Sequence, residues 1–108
     1  MRNLIFLLVF FCSSVSAQIK VTHFNAGWNS ANDVEWFMKL KDCKTMGYVD
    51  IAKDVKAQTK YKIAVVPTII IFKDGEEVAR FQADLSFKMV ATKEEVQEEI
   101  NDQMMSDF

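Results

Sequence analysis

The chain has 108 residues, 50% apolar and 26% charged, with a single proline. That length and mixture predict one compact domain with an ordinary apolar core and exclude a disordered chain. A formal net charge of −2, from 13 basic and 15 acidic side chains, comes with no basic stripe, so nucleic-acid binding has no support.

Residues 1–17 have the pattern of a signal peptide. Arg2 precedes the apolar run from Leu4 to Cys12, and Val15-Ser16-Ala17 is a small-residue cleavage triplet that would leave Gln18 as the first residue. The apolar run is about half of the ~20 residues needed to cross a bilayer. Lipid attachment at Cys12 and an uncleaved anchor are rival readings. Phe11 stands where a lipidated cysteine wants a small neighbour, and the cleavage triplet lies beyond it. The expected product is exported, periplasmic or secreted, without stable membrane insertion, and residues 18–108 form its domain. Without Arg2 the net charge is −3, and Cys43 is the one thiol left, so no internal disulfide staples the fold.

Ile19 to Phe24 is β-branched and aromatic, which predicts a strand. A buried helix is expected next, because Ser30 and Asp33 have capping-box spacing and apolar residues from Val34 to Cys43 leave only Glu35, Lys39 and Asp42 on a polar face. Gly47 reads as a breaker near its end, before a short strand around Tyr48 and Val49. Asp50 is placed to cap a second, surface helix through about Thr59, with Ala52 and Val55 as its thin apolar stripe. Thr68-Ile69-Ile70-Ile71-Phe72 is the strongest strand, joined through Asp74-Gly75 to an antiparallel return strand from Glu77 to Phe81. Thr92 and Glu95 form a capping box for a last helix carrying Val96 and Ile100. The order β-α-β-α-β-β-α predicts an α/β fold, with a central mixed sheet flanked by helices on both faces.

Two stretches resemble the thioredoxin family. "FNAGW", Phe24 to Trp28, is similar to the strand end and Trp before that family's active site. "KYKIAVVPTIIIFKDGEEVARF", Lys60 to Phe81, is similar to its proline-threonine strand, hairpin and return strand. The likeness runs from Gln18 to about Gln103. It starts at the family's central strand and lacks the preceding strand and helix. The implied fold is thioredoxin-like, with Pro67 as the cis-proline and Val66 beside it where an extended peptide would lie.

Asn29 and Asn32 occupy the positions of the two active-site cysteines. An amide neither ionises near neutral pH nor forms a mixed disulfide, so the dithiol reaction has no nucleophile and no catalytic residue is assigned. The plainest role for both asparagines is capping the following helix. His23 falls where the family has a buried Asp, and Tyr48 where it has a Lys. With no nucleophile beside it, His23 reads as a hydrogen-bonded core histidine. Cys43, spaced with Trp36 and Leu40 on one helical face, reads as a small buried hydrophobe. One His and one Cys are too few for a metal, and no cofactor is implied.

The leading expectation is a redox-inactive, monomeric binding or accessory module that takes a protein or peptide partner in a groove of Trp28, Asn29, Val66 and Pro67. Its alternatives are a one-cysteine redox protein acting through Cys43 in cell redox homeostasis, and a structural subunit of a larger assembly.

Overall fold

The computed structural model describes residues 18–106. The signal-peptide reading, Cys12 included, falls outside them. Four strands, β1 (Ile19–Asn25), β2 (Thr45–Asp50), β3 (Thr68–Lys73) and β4 (Glu76–Gln82), form one sheet in the order β2-β1-β3-β4. β1 runs parallel to β2 and antiparallel to β3, and β3 and β4 make an antiparallel hairpin. The sheet is therefore mixed, with the first strand near its middle.

Side-chain alternation along β1 and β3 divides the core between two faces. Ile19, Val21, Ile69 and Ile71 pack on one face with Val34, Phe37, Leu40, Val96 and Ile100. Phe24 and Ile70 pack on the other with Ile51, Ile63 and Val66. The Asp74-Gly75 turn forms as expected, with φ of 51° and 90°. Helix α2 (Lys93–Met105) starts at the Thr92–Glu95 capping box and buries Val96 and Ile100.

The expected buried helix after β1 is absent. Two short 3₁₀ turns, Gly27–Asn32 and Phe37–Lys39, take its place. The apolar pattern is met in part: Val34, Phe37 and Leu40 face the core, Trp36 and Cys43 are half-buried, and Met38 is 74% exposed. It could not distinguish a helix from turns that bury the same residues, because one buried side chain per turn satisfies both. Cys43 and Trp36 still pack against the cluster containing Leu40, although no common helix carries them.

Gly47 lies inside β2 rather than breaking a helix. Helix α1 (Val55–Lys60) begins at Asp54, whose side chain accepts the Ala57 N–H, and not at Asp50. Its buried residue is Ala57, while Ala52 and Val55 are exposed and Ile51 joins the core. Asp50 instead accepts N–H groups from Gly27 and Ala52, tying the end of β2 to the corner after β1. A Cβ at Gly27 would stand 3.1 Å from Asp50 Oδ2, so this close approach favours glycine.

Candidate functional site

At the corner after β1, Asn29 and Asn32 do not cap a helix. The first 3₁₀ turn has no side-chain cap. Asn32 Nδ2 donates to Asn29 Oδ1 at 2.8 Å, and Asn29 Nδ2 donates to Asn25 Oδ1 at 3.0 Å and to the Phe87 carbonyl at 3.2 Å. Asn25 Nδ2 returns bonds to the Asn29 carbonyl at 3.1 Å and to Asp33 Oδ1 at 2.6 Å. Three amides and one carboxylate thus form a continuous network, in which Asn25 and Asn29 are buried. A buried amide left unbonded costs about 1–3 kcal/mol, and this closure avoids that cost.

The network continues outward, where the Tyr48 hydroxyl donates to Asp33 Oδ1 at 3.0 Å. The Tyr48 ring stacks on His23 with centroids 4.9 Å apart, as their pairing in the β1–β2 register requires. Partial burial and the Asp33 carboxylate push the Tyr48 hydroxyl up to about 12. His23 is fully buried, and its Nε2 accepts the Val34 N–H at 3.0 Å. Burial holds its pKa below the ordinary value, against the pull of Asp33. The ring is therefore a neutral core histidine whose accepting nitrogen is already occupied.

Of the four residues expected to line a groove, only Trp28 is accessible, at 67% exposure; Val66 is 3% exposed, and Asn29 and Pro67 are buried. The Val66–Pro67 peptide bond is cis. Phe87, on the loop after β4, meets the Trp28 ring edge-on at 5.2 Å. The same loop exposes Leu85 and Val90, and the Trp28–Phe87 ring pair is the aromatic feature exposed at this corner. The sequence alone does not mark Asn25, Asp33 and Phe87 as site residues. A polar Asn25 in the inward parity of Val21 and His23 is the one signal that could have marked the network; Phe87 carries none.

Cys43 is half-buried, and its Sγ lies 3.5 Å from the Lys41 carbonyl oxygen. Burial, with Asp42 adding to it, pushes the thiol pKa up, away from the nucleophilic thiolate. Among the described residues, no group of three or more His, Cys, Asp or Glu side chains is placed to hold a metal.

A mixed sheet in this order, with a cis-proline immediately before β3, defines a thioredoxin-like domain. Comparison with solved structures agrees. A thioredoxin mutant from Halobacterium salinarum superposes with a TM-score of 0.64 at 18% identity, over 81% of this chain and 75% of that one. Fasciola hepatica thioredoxin gives 0.57 at 22% identity, over 88% and 89%. In sequence, the chain is 41% identical over 51 residues to the chloroplastic thioredoxin Y1 of Arabidopsis thaliana, covering 47% of this chain and 30% of that protein. It is 44% identical over 36 residues to a thioredoxin of Chlamydia pneumoniae, covering 33% and 35%. The matched segments thus span about a third of the length of these curated relatives. No protein-family model matches the chain.

Proposed function

We propose that this protein is an exported thioredoxin-like binding module that performs no dithiol–disulfide exchange and engages a protein or peptide partner at the Trp28 corner. The observation that carries the reading is the amide network itself. Asn29 and Asn32 stand at the two cysteine positions of the family pattern; they are bonded to each other, and Asn29 is bonded in turn to Asn25. Neither amide can attack a disulfide or leave as a thiolate, so no mixed-disulfide intermediate is available at this corner. What remains there for a partner is the exposed Trp28, supported by the edge of the Phe87 ring. An aromatic anchor over a strand end suits an extended peptide, which contributes backbone hydrogen bonds and one or two apolar side chains. The one-cysteine alternative is disfavoured by the half-buried Cys43, whose pKa is raised.

Two measurements test the reading. The protein should give no reduction of a protein disulfide above the rate of its electron donor alone. A displayed peptide library selected on the immobilised protein should enrich binders that are lost with Trp28→Ala. Reduction above background, or equal enrichment on the Trp28→Ala protein, overturns the proposal. Export is checked separately, by an intact mass that begins at Gln18.

A further inference from the structure

At the opposite end of the sheet from Trp28 lies a hollow of ≈ 340 Å³, lined by Lys20, Lys44, Lys60, Tyr61, Phe72 and Asp74 among others. The three lysines come from three different elements. Lys20, on β1, stands between Thr45 and Phe72 in the sheet register. Lys44 leads into β2, where its N–H donates to the Ile19 carbonyl at 2.8 Å. Lys60 ends α1, with its Nζ 5.2 Å from the centroid of the Tyr61 ring. Tyr61 is itself fixed by ring contacts with Phe24 at 5.2 Å and Phe72 at 5.7 Å.

The charge at this hollow is unbalanced. Asp74 is the acidic residue in its wall, and Asp74 Oδ1 accepts the Gln18 N–H at 3.0 Å. Among the described residues, none of the three ammonium groups has a carboxylate partner. The whole chain has more acidic than basic side chains, yet three lysines and two aromatic rings line this hollow against a single carboxylate. Like charges brought together over a low-dielectric surface repel one another, and an anion of matching charge turns that repulsion into attraction.

We infer that this hollow binds a compact polyanion of the pyrophosphate class, with Lys20, Lys44 and Lys60 as its ligands. Each ammonium supplies up to three donors and a concentrated charge, suited to phosphoryl oxygens spread over more than one phosphorus. The volume falls within the ~300–1,000 Å³ range of small-ligand sites, roomier than a single orthophosphate needs. A free diphosphate, the diphosphate of a nucleotide and the phosphorylated headgroup of a lipid share this chemistry.

The test is calorimetric titration of the protein with inorganic pyrophosphate at low salt, repeated with a nucleoside diphosphate and with vesicles bearing phosphorylated headgroups. The expected result is one site per chain, weakened by added salt, together with a rise in melting temperature on binding. Lys20→Gln, Lys44→Gln and Lys60→Gln should each weaken binding about tenfold, as loss of one charge-assisted contact does. Lys88→Gln, outside this hollow, should leave it unchanged. The triple Gln variant should melt no lower than the parent without ligand, because repulsion is relieved, and should show no rise with pyrophosphate. Binding of the soluble diphosphates identifies a free ligand, and binding strengthened on headgroup-bearing vesicles identifies a lipid. No heat with millimolar pyrophosphate, or equal binding by the triple variant, overturns the inference.

Discussion

Asn25 and Asn29 bond to each other in both directions: Asn29 Nδ2 donates to Asn25 Oδ1 at 3.0 Å, and Asn25 Nδ2 donates to the Asn29 carbonyl at 3.1 Å. The pair ties the end of the central strand to the turn that carries Trp28. Its loss should be felt as stability. Asn29→Ala strands Asn25 Oδ1, the Asn32 amide and the Phe87 carbonyl, and should cost about 1–3 kcal/mol. Urea unfolding measures this, and a loss below about 0.5 kcal/mol, the size of an ordinary surface substitution, would show that the network is not structural.

Cysteines introduced together at Asn29 and Asn32 should form a disulfide within the folded protein. The native side chains already meet at 2.8 Å, and a 3₁₀ turn brings positions i and i+3 within the ~4.4–6.8 Å Cα separation that the bond requires. Intact mass with and without reductant, after alkylation, reads the result. Reductase activity should remain low, because His23 Nε2 is already occupied by the Val34 N–H and the Tyr48 hydroxyl, pushed up to about 12, holds its proton, so neither relays one to the new thiols.

Stability should fall as the solution is acidified through the ordinary histidine range. His23 has a folded-state pKa lowered by burial, so below its unfolded value near 6.5 the unfolded chain takes up the proton first. The stability conferred by neutral His23 is therefore fully present above that value and is lost as pH falls toward the folded pKa. The limiting slope is about 1.4 kcal/mol per pH unit for one proton. His23→Gln keeps an acceptor for the Val34 N–H but removes the titration. Chemical denaturation from pH 7 to pH 5 should give a flatter profile for that variant than for the parent.

Cys43 should react slowly with a thiol reagent in the native state and rapidly after unfolding. Both its half-burial and its raised pKa act in that direction. Fast native labelling at neutral pH would move the assignment to a one-cysteine redox protein.

Phe87 adopts φ of 64° while its ring contacts Trp28. Phe87→Gly removes about 1–2 kcal/mol of left-handed backbone cost and keeps the carbonyl that accepts Asn29 Nδ2, but loses the ring contact. The net change in stability should stay within about 1 kcal/mol, with a red shift in Trp28 fluorescence as that ring becomes more hydrated. A loss of several kcal/mol would show that the loop is held mainly by the Phe87 ring.

Local chemistry determined much of this protein without tertiary information. The Thr68–Lys73 strand, the Asp74-Gly75 turn and the Thr92–Glu95 cap each depend on neighbours a few residues away, and each is found where short-range patterning puts it. The absence of cysteine from the Trp28 corner is likewise a property of residue identity alone. Tertiary structure decided what fills the corner. Asn29 bonds across four residues to Asn25 and across 58 to Phe87, and no helix-capping pattern contains those partners. It also decided that Val34, Phe37 and Leu40 reach the core from turns, because the sheet face supplies the packing that an isolated helix would have needed. The lysine hollow follows the same rule. Lys20, Lys44 and Lys60 are remote in sequence, so no basic stripe marks them, and only the pairing of β1 with β2 and β3, together with the placing of the end of α1, brings them around one space.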